Sequence, residues 1–245
     1  MRSPTASELL QAWEEGAGRG VAERALSLLA LALPDAGLAA LARCSVGVRD
    51  DLLLGLRERL FGAQLDSVAQ CPACGATLET QWRAGALRLP APPLPDSGEL
   101  RLAALAHELA FRLPSAEDLV AIEHCADADG ARALLLGRCL RAASANGAPV
   151  AAADLPDEVV AALEAAMAAA DPMAEIDIGL ECPACGHGWS LAFDIARFLW
   201  TEIDSWAQRL LVDVHRLARA YGWREADILA MSAGRRQLYL QMSGA

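Results

Sequence analysis

Apolar residues recur along most of the chain at the three- and four-residue intervals of a helix, with two stretches where the interval drops to two. The longest helical stripe lies near the end. Ile195, Leu199, Ile203, Trp206, Leu210, Val214, Leu217 and Tyr221 predict one amphipathic helix over 195–221, stopped by Gly222. Two short helices, 223–231 and 235–242, follow. At the other end, 7–13, 21–33 and 37–43 read as helices, and Asp50-Asp51 opens a fourth that stops at Gly62. A Pro-rich connector covers 85–98; 99–104 and 108–113 fit two short strands, with a helix as the alternative for the first. Ser115, with Asp118 three positions on, forms a loose capping box for a helix running to about Cys125. Residues 126–130 break the pattern before a helix over 131–142. A further helix starts at Pro156-Asp157-Glu158 and ends before Asp171-Pro172.

The two period-two stretches share a neighbour. Thr77, Glu79 and Gln81 alternate with Leu78, Thr80 and Trp82 just after Cys71-Pro72-Ala73-Cys74-Gly75. Ile176, Ile178 and Leu180 alternate with Asp177, Gly179 and Glu181 just before Cys182-Pro183-Ala184-Cys185-Gly186, and 189–193 alternates after it. One pentapeptide, CPACG, thus occurs twice in strand-like surroundings. Two residues between thiols let both sulfurs reach one ion at about 2.3 Å. Pro stiffens such a turn, and Gly can take the positive φ that reverses the chain. One knuckle supplies two ligands and a structural zinc ion needs four. Cys71, Cys74, Cys182 and Cys185 are therefore the expected ligands of one structural Zn2+ in a four-cysteine zinc ribbon. Pro-Ala between the thiols and Gly after them do not resemble a thioredoxin redox turn. His187 invites a Cys-His variant, but four thiols already complete the shell.

Composition narrows the class. Of 245 residues 54% are hydrophobic, mostly Ala and Leu, which favours helices. The net charge is −11, which repels phosphate, and every one of the 21 basic residues is Arg, a side chain suited to bidentate carboxylate contacts. No apolar run is long enough to span a bilayer, and the start lacks a signal-like apolar core, so a cytoplasmic protein with reduced thiols is expected. Cys44, Cys125 and Cys139 stand singly. His107, His124 and His215 are isolated; His124 adjoins Cys125, but neighbours on one helix diverge by about 100° and form no dyad. There is no phosphate-cradling glycine loop, nucleophile elbow or HExxH. A catalytic role and a small-molecule substrate are not expected. The tail allows a second reading, a zinc-ribbon/helix-turn-helix DNA-binding regulator with Arg235-Arg236 toward phosphate, against which stand Glu225, Asp227 and the net charge.

The stretches RDDLLLGLRERLFG, CPACG, FRLPSAEDLVAI, DPMAEIDIGLECPACGHGW, FDIARFLWTEI and HRLARAYGWREADILAMSAGRRQLYLQM together resemble a zinc-ribbon protein found with phage-like contractile injection systems. The last stretch is similar to the baseplate hub and hub-assembly chaperone family of T-even-type contractile phages. The resemblance covers most of 45–242 and is most specific over 193–242. It implies an assembly role, either as a chaperone that helps build the baseplate or hub or as a minor component incorporated into the particle, with baseplate or hub proteins as partners. Carried onto this chain, its recurring block is Tyr221, Gly222, Trp223, Ile228, Leu229, Arg235, Arg236 and Tyr239. Of these, Tyr221, Trp223, Arg235, Arg236 and Tyr239 are the expected partner contacts. No catalytic residue transfers, and the zinc knuckles depart from the shorter phage proteins. The expected fold is α+β and mainly helical. It comprises an N-terminal helical region (1–65), a zinc ribbon (66–84 plus 176–194), an inserted α+β subdomain (85–175) and a C-terminal helical region (195–245).

Overall fold

A computed structural model describes residues 1–90, 92, 94 and 98–244; part of the Pro-rich connector lies outside the described residues. Four helices open the chain: α1 (Ala6–Glu15), α2 (Val21–Ala32), α3 (Leu38–Arg43) and α4 (Val46–Phe61). Thr5 and Glu8 close a reciprocal capping box on α1. The helix α4 starts four residues before the Asp50-Asp51 pair that the sequence suggested. Ser45 is its cap, accepting the Val48 N–H. Asp50 therefore sits inside the helix, buried, with Arg49 Nε 2.7 Å away.

Two strands follow, β1 (Gln64–Gln70) and β2 (Thr77–Arg83), paired antiparallel from Gln64↔Arg83 to Gln70↔Thr77 around the first CPACG. The first of them went unread in the sequence. Leu65, Ser67 and Ala69 of β1 face inward and Asp66 and Val68 outward, so a polar residue on the inner face and an apolar one on the outer hide the period of two. Pairing with β2, not its own pattern, makes it a strand.

The middle of the chain holds β3 (Leu100–Ala104), β4 (His107–Phe111), α5 (Ala116–Ile122), α6 (Ala128–Cys139), β5 (Leu140–Ala145), β6 (Ala148–Pro149) and α7 (Asp157–Ala170). Its antiparallel sheet has the order β3-β4-β5-β6. Here the sequence reading is corrected: the helix expected to run to 142 ends at Cys139, and LRAASA is a strand against β4. Those residues are good helix formers, but a sheet edge and the Asn146-Gly147 turn, with φ of 50° and 81°, override local propensity. Ser115 and Asp118 form the expected capping box. Asp118, fully buried, also accepts from both terminal nitrogens of Arg112 and from Arg138 Nε, locking α5 to the ends of β4 and α6. His124 and Cys125 lie beyond the end of α5, in a turn rather than on a helix.

The chain closes with β7 (Ile176–Glu181), β8 (Gly188–Phe193), α8 (Ile195–Tyr221), α9 (Glu225–Leu229) and α10 (Ala233–Met242). The long helix has the bounds its stripe predicts. Ile195, Leu199, Ile203, Leu210, Val214 and Leu217 are buried, and Gly222 stops it in the left-handed conformation at φ 68°.

Packing joins regions distant in sequence. The main core combines Leu28 and Leu29 of α2, Leu53 and Leu56 of α4, and Leu199 and Ile203 of α8 with the bases of both hairpins, Leu65, Ala84, Ile176 and Ile178. A second cluster packs Leu109 and Phe111 of the sheet against Val159 and Leu163 of α7. A third joins the second half of α8 to Ile228 and Leu240. Arg57, buried, forks onto Glu202 of α8 at 2.6 and 2.8 Å and donates to the Gly62 carbonyl at 2.7 Å. This clamp fixes the start of the first hairpin against the helix that follows the second. The architecture is thus mixed α and β with a long C-terminal helix. Among the described residues, no helix is long and apolar enough to cross a membrane.

Candidate metal centre

The two pentapeptides fold alike. In the first, the Cys71 N–H donates to the Ala76 carbonyl at 2.9 Å and the Gly75 N–H to the Cys71 carbonyl at 2.9 Å. In the second, Cys182 donates to His187 at 2.9 Å and Gly186 to Cys182 at 2.8 Å. The glycines that end the turns have φ of 73° and 72°, a region that a side chain at either position would strain. Each turn sits at the tip of an antiparallel hairpin. Identical local sequence gives identical local structure, and burial of the two hairpin bases in one core points both tips at each other.

The outcome is a four-thiol cluster. All four Sγ atoms lie within 4.8 Å of one another, Cys71 to Cys185 at 3.7 Å and Cys74 to Cys182 at 3.6 Å. Four sulfurs held about 2.3 Å from a central ion in a tetrahedron are about 3.8 Å apart, so the spacing fits a tetrahedral thiolate site. It is far from the roughly 2.05 Å of a disulfide. Each knuckle contributes one buried thiol, Cys71 or Cys182, and one exposed thiol, Cys74 or Cys185. Leu78 and Trp189, with Ala76, pack around the buried pair. The sequence marked both large residues only as strand positions. His187 is exposed and its ring stacks on Trp189 at 6.2 Å, outside the cluster.

Burial opposes ionisation of Cys71, but hydrogen bonds from the Cys74 and Ala73 N–H groups, and from the Cys74 and Cys182 thiols, bring it down to about 7. For Cys185 the His187 N–H favours the thiolate. That is outweighed by the Cys74 thiol, by burial and by the other two thiols, which together push it up to about 12. Cys74 is likewise raised: the Ala76 N–H and the Cys185 thiol favour its thiolate, but the Cys182 and Cys71 thiols and burial outweigh them. Four anions this close repel one another unless a cation sits among them. The arrangement can hold a metal ion, and with four thiolates the ion's tetrahedral shell would be closed.

Comparison of the chain with protein-family models, with curated proteins and with solved structures gives no match in any of the three. The site is therefore read from its own geometry.

The expected partner contacts gather at the far end of α8. Tyr221 stacks on Trp223 at 4.4 Å, and Tyr239 meets both edge-on at 5.8 and 4.8 Å. Arg235 lies over the Tyr239 ring at 5.6 Å and is exposed. Arg236 parts from this group. It is only 5% exposed, its Nη1 donates to the Met231 carbonyl at 2.6 Å, and it points inward while its neighbour points out. Adjacent helical residues diverge by about 100°, so a paired Arg-Arg surface cannot form here. Cys44, Cys125 and Cys139 stand apart from the thiol cluster, and burial pushes Cys139 up to about 11.

Proposed function

We propose that this protein is a zinc-stabilised, non-enzymatic assembly factor or minor baseplate component of a phage tail-like contractile particle. The four-thiol cluster carries the reading. Sulfur-only ligands at tetrahedral spacing select a soft divalent ion, and zinc satisfies thiolate, geometry and redox inertness together. A complete thiolate shell leaves no position for water or substrate, which favours a structural role over catalysis. Cys71, Cys74, Cys182 and Cys185 would hold the ion in a ribbon built from the two hairpins. Closing so long a loop costs only about 0.6 kcal/mol per doubling of its length. Structural zinc binding contributes about 10–16 kcal/mol.

The assembly role rests on the family resemblance of the tail and on the surface that the tail presents. Leu238 and Met242, one turn apart on α10, are 60% and 66% exposed, beside the Tyr221–Trp223–Tyr239 cluster. An apolar ridge next to aromatic rings and Arg235 is the composition of a protein-docking surface. A helix-turn-helix regulator is less well supported, because the second of the two arginines is buried and α9 carries Glu225 and Asp227. Co-expression with the proteins of a contractile particle, followed by affinity purification, tests the assignment. Wild type should bring down a baseplate or hub protein, and Leu238→Glu should lose it while remaining folded. Unchanged association, or salt-sensitive retention on DNA instead, would refute the role.

A further inference from the structure

Arg236 has an Nε–H that is buried without any acceptor. An unpaired charged donor removed from water is costly, so it marks a place where a partner group completes the structure. Arg236 lines a groove of about 510 Å³ between the N-terminal segment, the end of α4 and the α9–α10 turn. Leu60, Phe61, Trp206 and Met231 give it apolar walls, and Ser3, Thr5 and Ser232 add hydroxyls. Its second cation is Arg59, exposed and without a hydrogen bond or ion pair among the described residues. No described carboxylate lines it, although the chain carries 32 acidic residues and a net charge of −11.

Arg236 also lines a second groove of about 490 Å³ on its other side, where Arg209 and Arg216 join it. The one carboxylate there, Asp213, accepts from Gln237 Nε2 at 3.3 Å and makes no ion pair with Arg236. Four arginines with one carboxylate, Asp213, among them, gathered in apolar clefts of an acidic protein, specify the chemistry that fits them. Guanidinium groups bind planar carboxylates bidentately. Apolar walls favour a carboxylate carried on a hydrophobic segment over a hydrated phosphate, and the net charge repels polyanions such as nucleic acid.

We infer that the groove between Arg59 and Arg236 receives an acidic side chain or terminal carboxylate on an apolar segment of a partner protein. The inference deepens the assembly reading by naming the partner's chemistry. Peptide binding tests it without reference to any particle, so the two can fail separately. The probe is a fluorescent dodecapeptide of alternating leucine and glutamate, with its leucine–glutamine analogue as control. The acidic peptide should bind wild type with an affinity that falls as salt rises, and the analogue about tenfold or more weaker. Arg59→Gln, which removes a side chain with no internal partner, should weaken the acidic peptide about tenfold while leaving the melting temperature unchanged. Arg236→Gln should weaken the acidic peptide likewise, but with a lower melting temperature, because it also loses the bond to the Met231 carbonyl. Equal binding of the two peptides, or an unchanged affinity for Arg59→Gln, overturns the inference. Displacement by inorganic phosphate at the peptide's own concentration overturns it too, assigning the groove to phosphate. Self-association of the protein that blocks the peptide overturns it in favour of a second copy.

Discussion

Replacing one exposed thiol separates what the proposed zinc ion would contribute from what packing contributes. Cys74 faces solvent and Cys71 is buried with Leu78, so Cys74→Ala would remove one of the four proposed ligands and almost nothing else. Structural zinc sites bind with about 10–16 kcal/mol at a 1 M reference, and dilution to about 1 µM free zinc subtracts about 8 kcal/mol. About 2–8 kcal/mol of linked stability remains. At roughly 2–4 °C per kcal/mol for a chain of this length, complete coupling would lower the melting temperature by up to about 30 °C. The structure argues for much less. Leu65 and Ala84 of the first hairpin and Ile176 and Ile178 of the second are anchored in the main core whether or not an ion is bound. Only the tips would depend on it, since the buried residues of their own cluster are just Cys71, Leu78 and Cys182. We therefore expect a fall of about 5–10 °C, accompanied by fast hydrogen exchange confined to about 66–81 and 178–191. Mass spectrometry under native conditions should find one zinc per wild-type chain and none in Cys74→Ala. In chelator, wild type and Cys74→Ala should melt together, whereas Cys71→Ala should lie lower by about 1 kcal/mol of lost burial. Full zinc occupancy in both Cys74→Ala and Cys185→Ala, or exchange at the tips indifferent to chelator, would refute the reasoning.

Gly47→Ala should destabilise despite a better helix former in α4. The added Cβ would lie 2.0 Å from Asp171 Oδ1, and the Gly47 N–H donates to Asp171 Oδ2 at 2.8 Å in a buried site. Losing that charge-assisted bond costs about 1.5–3 kcal/mol and the overlap about 1–3, against a propensity gain of about 1. Urea denaturation should show a net loss of about 2 kcal/mol or more; a neutral or stabilised variant would contradict this packing. Asp118→Ala should cost about 2–4 kcal/mol at neutral pH, because it removes the α5 capping box and the charge-assisted bonds from Arg112 and Arg138, which stay partly solvated. Burial alone would raise the Asp118 carboxyl, but Arg112, Ser115 and Arg138 outweigh it and hold the carboxyl well below the usual range. Its stabilisation is thus complete above the unfolded value of about 3.9 and fades as pH falls below that. The wild-type advantage in denaturant melts should be flat above about pH 5 and shrink below about pH 4. A constant difference down to pH 2 would contradict it.

The sequence alone determined the features that depend on near neighbours. The 195–221 stripe set the bounds of the longest helix, Ser115 and Asp118 announced their cap, and the repeated CPACG specified two like turns ending in left-handed glycines. Those are properties of a few consecutive side chains and their backbone, so a linear reading captures them. What only the tertiary structure decided depends on distant partners. β1 and β5 are strands because another strand lies alongside, in one case against residues that favour a helix. Arg235 and Arg236 read as a pair on paper and part company on α10, one at the surface and one inside. The meeting of Cys74 with Cys182, 108 positions away, follows from burial of both hairpin bases in the core that α2, α4 and α8 build. Local chemistry could call for four ligands; only the packing of the whole chain could bring them within bonding distance of one centre.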